Sequence, residues 1–392
     1  MSAQGRISQV AGHMNATGAA GLIEKHPDDV VVTTALRTAI TKGGKGGFKD
    51  TAAADLLHGA FTGLIQRSGI DPELVEDIAV GCVLAPGGGA TEYRAAALAA
   101  GFPESTAVKS LNRQCSSGLA ACVDIANAIR TGMIDVGVGA GVESMSTQYG
   151  PQAVSEFSDL LENHETAAEC KVPMGMLSEN MAKDRNISRK DQDKFAADSY
   201  RKAGVAQKQG LFNDEIVPMK VKWTDPKSGE EKEVTVSADD GVREVTEESL
   251  GKIKPAFAKN GSIHAGNASQ ISDGAAAVLL MKRSTAERLG QKILGKYVAA
   301  SVAGVSKNDV DIYEINEAFA SQCLWCANEL GLPMEKINPK GGAIAFGHPL
   351  GCTGARQVST LLYELKRTNK KIGVTSMCVG TGMGMAAVWV AE

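Results

Sequence analysis

The chain has 392 residues, with 41 Lys and Arg against 45 Asp and Glu and a formal net charge of −4. This near balance gives no reason to expect nucleic acid or an anionic membrane as the main partner, and no apolar run approaches the roughly 18 residues that a membrane span needs. The 8 cysteines are too few for a disulfide scaffold, so we expect free thiols in a reducing compartment.

The first part of the chain alternates predicted strands and helices. Residues 29–39 are rich in β-branched side chains and predict a buried strand, residues 51–67 a helix, and residues 76–84 a second strand. A helix rich in small residues is predicted at 116–130 and a glycine-rich strand at 135–142. This alternation is typical of an α/β fold.

The middle of the chain has a different character. From about residue 147 to residue 264 it is polar and charged, and residues 222–236 predict an exposed hairpin. The alternation then resumes, with strands predicted at 274–281, 309–315, 371–377 and 385–391 and helices at 316–330 and 355–366. A charged segment is therefore inserted into an α/β core.

The core carries the signs of an internal repeat. Gly118 and Gly354 each begin a predicted helix, and each lies 18 positions before a Val-Gly-Val or Ile-Gly-Val strand. The offset between the two sets is 236 positions, and it also relates Ile125 to Leu361 on the apolar sides of the helices. The core is therefore predicted to consist of two similar halves.

Cys115 lies at the predicted start of the small-residue helix. A thiol there faces free backbone N–H groups and the positive end of the helix dipole, which are expected to lower its pKa and favour the thiolate. Small neighbours leave room for a substrate. A buried helix cysteine without a chemical role is the alternative.

Three other residues are candidates for the same chemistry. Cys378 ends a predicted strand at a glycine-rich turn, where reactive groups and backbone donors are often exposed. His348 lies between Gly347 and Pro349 before a helix, a poor place for core packing, and is a candidate general base for a thiol. Asn316 is either a helix N-cap or the holder of a water or a substrate oxygen.

Nucleotide and metal sites are disfavoured. The glycine-rich segments 137–141 and 380–384 have the wrong spacing for a dinucleotide fingerprint, and residues 42–47 lack the Gly-Lys-Ser/Thr of a phosphate-binding loop. Cys323 and Cys326 have a metal-ligand spacing but no second ligand pair nearby, which favours core packing.

Four segments, residues 112–118, 316–319, 341–351 and 378–384, closely resemble the motifs of the thiolases and occur in the same order. The Gly-Asn-Ala-Ser element at 266–269 is present too. The resemblance runs from about residue 28 to the C-terminus. It implies an α/β thiolase fold, in which two βαβαβαββ halves form five layers, α-β-α-β-α, with an inserted loop domain.

The resemblance also implies a division of the chain into parts. The expected parts are a targeting or flexible extension at 1–27, an N-terminal half at 28–146 and 265–290, a coenzyme A-binding loop domain at 147–264, and a C-terminal half at 291–392. Residues 306–308 bridge a place where the family normally has a longer connection with a helix. The C-terminal half is therefore expected to be shortened near 305–309.

The resemblance implies a role for each catalytic candidate. Cys115 would take the acyl group, His348 would withdraw the Cys115 proton, and Cys378 would be the second acid and base. Asn316 would hold a water that forms one oxyanion hole with His348. The backbone N–H groups of Cys115 and Gly380 would form the other.

Coenzyme A is expected as a substrate, and no cofactor or metal is implied. The residues expected to contact it or to line the acyl and pantetheine channel are Ser269, Arg243, Ser249, Met174 and Phe319. The implied activity is degradative cleavage of 3-ketoacyl-CoA by coenzyme A in fatty acid β-oxidation, by a homodimer. Pro173, where acetoacetyl-specific members usually have His, favours this over acetoacetyl-CoA cleavage. A catalytically impaired, coenzyme A-binding form is the other alternative.

The N-terminus resembles a peroxisomal targeting signal. Arg6, Ile7 and His13 fit the pattern, and Met14 departs from it. This implies binding to the peroxisomal import receptor and a location in the peroxisome, with the cytoplasm as the alternative.

Overall fold

The computed structural model describes residues 18–149, 156–300 and 305–392. Its strands are β1 (Val30–Thr38), β2 (Thr41–Lys42), β3 (Asp77–Gly81), β4 (Ala107–Leu111), β5 (Val136–Ser144), β6 (Ile216–Val217), β7 (Met219–Thr224), β8 (Glu231–Val236), β9 (Ser272–Lys282), β10 (Gly295–Ala299), β11 (Ile312–Ile315), β12 (Ile372–Gly380) and β13 (Met383–Ala391).

The helices are α1 (Gly18–Ile23), α2 (Ala53–Ser68), α3 (Ala90–Ala100), α4 (Ser117–Arg130), α5 (Met145–Gln148), α6 (Asp159–Glu162), α7 (Glu165–Ala168), α8 (Met174–Asp184), α9 (Arg189–Lys208), α10 (Glu247–Gly251), α11 (Arg283–Arg288), α12 (Ala320–Leu330), α13 (Ala343–Phe346) and α14 (Leu350–Arg367). Within the described ranges, none of these helices has the length and apolar character of a membrane span.

The strands form two sets with the same order. In the N-terminal half the order is β4-β3-β5-β9-β1, with β4, β3 and β5 parallel and β9 and β1 antiparallel to their neighbours. In the C-terminal half the order is β11-β12-β13-β10, with the corresponding directions. A parallel bridge between Tyr313 and Ile337 lies where the first half has β4. The predicted internal repeat is therefore confirmed.

Two long helices lie between the two sets of strands. Strands β5 and β12 begin at Val136 and Ile372 and are related by the predicted offset. Helix α14 packs against α4 and against strands of both halves. A Cβ on Gly118 would lie 2.5 Å from the carbonyl oxygen of Gly351, and one on Gly354 would lie 2.1 Å from the amide nitrogen of Leu119. Only glycine allows this close approach, which brings the two helix N-termini together.

The outer layers of the two halves differ. In the first half, α2 packs on β1, β5 and β9, and Val138 is fully buried. Between β10 and β11 the described residues of the second half form only the short turn Lys307–Asp309. Val374, which the offset relates to Val138, is partly exposed. Among the described residues, part of this outer sheet face is therefore uncovered.

The inserted segment is held to both halves by buried charges. Its hairpin, β7 and β8, forms as predicted. Arg37 of β1 contacts Glu215 at 2.8 Å and Asp239 at 2.7 Å, and Lys340 contacts Glu215 at 3.3 Å. Each of these side chains is almost fully buried. Because a buried charge without its partner is costly, this cluster fixes the position of the segment.

Candidate active site

Cys115 lies in a tight turn just before α4. The Ser116 N–H donates to the Arg113 carbonyl at 3.1 Å, and Ser116 is the N-cap of the helix. Gln114 has a φ of 46°, which is in the left-handed region that side chains other than glycine seldom adopt. The half-buried Cys115 thiol is therefore presented by a strained turn at a helix N-terminus.

The predicted lowering of the Cys115 pKa is wrong. Burial raises the pKa of this thiol above its ordinary value, and the nearby Cys378 and Glu143 raise it further. Backbone hydrogen bonding does lower it, as expected at a helix start, but by less. Loss of water around the charged thiolate outweighs the backbone contribution. Cys115 therefore rests as a neutral thiol.

Cys378 lies beside a second strained turn. Gly380, Thr381 and Gly382 all have positive φ values, of 96°, 49° and 79°. A Cβ on Gly380 would lie 2.2 Å from Gln114 Oε1, and Gln114 Nε2 donates to Thr381 Oγ1 at 3.4 Å. The two turns, one from each half, are therefore in contact. Burial raises the pKa of Cys378 to about 11.

His348 and Asn316 meet in the buried part of the site. His348 Nε2 lies 3.3 Å from Asn316 Nδ2. Burial, together with the charge of Arg356, lowers the pKa of His348 to about 3, so its ring is neutral near pH 7. Arg356 itself pairs with Glu314 at 3.0 Å. The ring therefore has one N–H and can accept a second proton.

Asn316 is not a helix N-cap. Helix α12 begins only at Ala320, with Phe319 as its N-cap. Asn316 instead continues β11 as its N–H donates to the Ser376 carbonyl at 2.8 Å. Its buried Oδ1 has no hydrogen-bond partner among the described residues. A buried acceptor of this kind needs a donor, which suits a water or a ligand at this position.

Two of the residues expected to line the substrate channel lie at this site. Met174 Sδ would be 3.6 Å from a Cβ on Gly380. Phe319 packs edge-to-face on Phe257, with ring centroids 6.3 Å apart, and Phe257 is 41% exposed. These apolar side chains suit contact with an acyl chain or a pantetheine arm. Phe257 had no distinguishing pattern in the sequence.

The three residues expected to contact coenzyme A have different surroundings. Ser269 donates its backbone N–H to Ala318 at 2.9 Å, next to Phe319 and thus near the site. Arg243 is exposed and lies over the Tyr200 ring at 5.4 Å. Ser249 is also exposed, and its hydroxyl caps α10. The structure does not bring Arg243 or Ser249 into contact with the catalytic candidates.

The four residues expected to form the targeting signal, Arg6, Ile7, His13 and Met14, lie outside the described residues.

Two buried polar residues at the site did not stand out in the sequence. Glu143 accepts hydrogen bonds from the backbone N–H groups of Val83, Leu84 and Gly351, at 3.1, 3.0 and 2.9 Å. It therefore ties a loop of the first half to the start of α14. In the sequence, Glu143 is marked only as the single acidic residue at the end of an apolar strand. Thr353, which contacts His348, could have been found through the repeat.

No group of three or more potential metal ligands occurs within residues 18–149, 156–300 and 305–392. Cys323 is buried and Cys326 half-buried in α12, and both are free thiols. The site thus consists of two neutral thiols, a neutral imidazole, an amide and backbone groups at two strained turns. Such a set can carry out nucleophilic acyl transfer with proton exchange.

The chain belongs to the thiolase family. The family model for the N-terminal domain of thiolase matches residues 30–284, and the model for the C-terminal domain matches residues 293–391. The chain is 55% identical to the peroxisomal 3-ketoacyl-CoA thiolase of Yarrowia lipolytica, over 99% of this chain and 100% of that protein. That alignment spans 413 positions, so the relative has residues that this chain lacks.

Comparison with solved structures also shows the thiolase fold. The dimeric peroxisomal thiolase of Saccharomyces cerevisiae superposes with a TM-score of 0.88 and 48% identity, over 95% of this chain and 100% of that one. An acetyl-CoA acetyltransferase of Bacillus anthracis superposes with a TM-score of 0.82 and 34% identity, over 93% of this chain and 99% of that one. The expected five-layered thiolase fold is confirmed, and the similarity favours the degradative thiolases over the acetoacetyl-CoA alternative.

Proposed function

We propose that this chain is a 3-ketoacyl-CoA thiolase that uses coenzyme A to cleave 3-ketoacyl-CoA into acetyl-CoA and a shortened acyl-CoA, as an acetyl-CoA C-acyltransferase of fatty acid β-oxidation. One observation carries the proposal: the turns that hold Cys115 and Cys378 come from different halves and touch through Gln114 and Thr381. Reversing a Claisen condensation needs a nucleophile and a separate proton donor that both act on the same substrate molecule. Cys115 and Cys378, on the two turns in contact, can supply these two groups.

In the first half-reaction, the Cys115 proton passes to His348 Nε2 as the sulfur attacks the ketone carbon. The new oxyanion is held by an oxyanion hole, and collapse breaks the bond between C2 and C3. The electron pair moves to C2, and the acetyl-CoA enolate takes the proton of Cys378. Cys115 is left acylated, Cys378 as a thiolate and His348 as an imidazolium.

In the second half-reaction, the Cys378 thiolate takes the thiol proton of coenzyme A. The coenzyme A sulfur attacks the acyl-Cys115 thioester, and the shortened acyl-CoA leaves. The Cys115 sulfur then recovers its proton from His348. Asn316 and its water, and the backbone N–H groups of Cys115 and Gly380, stabilise the two oxyanions.

The compartment and assembly follow the relatives. The Yarrowia, Arabidopsis and rat proteins at about half identity are peroxisomal thiolases, and the yeast structure is dimeric. We therefore propose that this chain forms a homodimer and is located in the peroxisome. Its import through the peroxisomal receptor, by way of Arg6, Ile7, His13 and Met14, is part of the same proposal. Fusing residues 1–27 to a fluorescent protein tests the signal, and a diffuse cytoplasmic distribution would contradict it.

The acyl-enzyme is the direct test of the chemistry. A 3-ketoacyl-CoA is mixed with the protein, and intact-mass spectrometry with peptide mapping locates the acyl group. The expected adduct is on Cys115 and is absent in Cys115→Ala. Cys122→Ala, which changes a buried cysteine of the same helix, serves as the matched control and should be acylated normally. An adduct that persists in Cys115→Ala would contradict the proposal.

A further inference from the structure

Thr353 lies in the first turn of α14, fully buried, beside His348. Its Oγ1 is 2.6 Å from His348 Nδ1 and 3.1 Å from the Pro349 carbonyl oxygen. The hydroxyl therefore contacts the ring nitrogen that faces away from Asn316. It touches neither Cys115 nor Cys378 in the hydrogen-bond pattern of the described residues.

The hydrogens in these contacts can be assigned by counting donors. The neutral ring of His348 has one N–H, on either Nδ1 or Nε2. If Nδ1 has it, the ring donates to Thr353 Oγ1, the hydroxyl donates to Pro349, and Nε2 accepts from Asn316 Nδ2. If Nε2 has it, that N–H faces the Asn316 amide N–H, and the Thr353 hydroxyl cannot serve both of its partners. With Nδ2 of the Asn316 amide facing the ring, only the first arrangement satisfies all three contacts.

The internal repeat provides independent support. Ser117 lies at the position of the first half that the offset relates to Thr353. Its Oγ accepts from the Arg113 N–H at 2.9 Å and donates to the Gln114 carbonyl at 2.6 Å. Both hydroxyls thus donate to a backbone carbonyl at the turn that precedes a central helix, and Ser117 also accepts a hydrogen bond there, as the first arrangement requires of Thr353. In the first arrangement, the donor to Thr353 is the imidazole N–H of His348, where Ser117 has a backbone N–H.

We propose that Thr353 is a positioning residue that holds His348 in the tautomer whose Nε2 carries no hydrogen, so that Nε2 can take the Cys115 proton when that proton replaces the contact from Asn316 Nδ2. The inference rests on the proposed function, because it concerns the base of that reaction. A hydroxyl performs here the orienting role that a carboxylate has in a Ser-His-Asp triad, without adding a charge. The ring therefore stays neutral until the thiol transfers its proton.

The test compares Thr353→Val, which keeps the shape but loses the hydroxyl, with Thr353→Ser, which keeps the hydroxyl. The rate of Cys115 acylation is measured in single turnovers, together with the KM for coenzyme A. We expect Thr353→Val to acylate at least about tenfold more slowly with an unchanged KM, and Thr353→Ser to stay within about threefold of the wild type. Ser359→Ala, on the same helix, is the control, because the buried Ser359 hydroxyl has no partner among the described residues.

Several outcomes would overturn the inference, and they differ from failure of the function. If the wild type forms no acyl-enzyme, the proposed function is wrong. If the wild type and Thr353→Val are acylated at equal rates, only the role of Thr353 is wrong. Should Thr353→Val not fold, ¹⁵N NMR of the histidine-labelled wild type decides. A proton on Nδ1 of His348 supports the inference, and a proton on Nε2 overturns it.

Discussion

The reactivity of Cys115 is expected to depend steeply on pH. Burial, with Cys378 and Glu143 nearby, raises the pKa of the Cys115 thiol, and the pKa of His348 is lowered to about 3. The two groups therefore rest as a neutral pair. Only the thiolate reacts with an alkylating agent, and below the thiol pKa its fraction rises tenfold for each pH unit. Alkylation should thus accelerate about a hundredfold between pH 6 and pH 8.

Pseudo-first-order alkylation by iodoacetamide is followed by intact mass in a Cys170→Ser, Cys378→Ala variant, because the exposed Cys170 would also react. Peptide mapping confirms that the label is on Cys115. The rate of alkylation should rise with pH, because raising the pH towards the raised pKa of Cys115 increases the fraction of thiolate. A rate that stays constant between pH 6 and pH 8 would show a preformed thiolate–imidazolium pair and refute the reasoning.

Two further predictions use matched pairs of residues. Val138→Ala should lower the free energy of unfolding by about 2 kcal/mol, and Val374→Ala by about 1 kcal/mol or less, because only Val138 is fully buried. Urea denaturation measures both, and equal losses would mean that the second sheet face is covered. Gly380→Ala should reduce turnover at least about tenfold, because a φ of 96° is strained for alanine and its Cβ would displace Gln114, the side chain that joins the two turns. Gly382→Ala has a similar φ, of 79°, but open space around its Cβ, so its turnover should fall less. Equal losses of turnover would refute the argument that displacing Gln114 matters.

Much of the fold could be predicted because its signals are local. The β-branched run of β1, the apolar side of α4 and the glycines at 118 and 354 all reflect buried positions. The repeat was visible because helix crossing imposes the same glycine at equivalent places. The start of α12 was predicted too early, since Asn316 extends the strand to reach His348, a tertiary contact that helix propensity does not encode.

The composition of the site was visible, but its electrostatics were not. Cys115, His348 and Cys378 are marked by their glycine-rich neighbourhoods. The direction of the Cys115 pKa shift depends on how much water the folded chain excludes, and this is set by residues from both halves. Glu143 is a lone acid at the end of an apolar strand, but its backbone partners are 59 or more positions away, so the sequence does not show what it binds. The repeat relates Thr353 to Ser117, but its contact with His348 is visible only in the fold.

The central claim is that Cys115 and Cys378 divide the chemistry between them. The most direct measurement is a thiolysis assay, in which the enolate absorbance of a 3-ketoacyl-CoA is followed after addition of coenzyme A. The wild type should consume the substrate, while Cys378→Ala should remain alkylatable at Cys115 but fail to turn over. Full thiolysis by Cys378→Ala would contradict this division. A wild type that binds coenzyme A without turnover would instead indicate a catalytically impaired form.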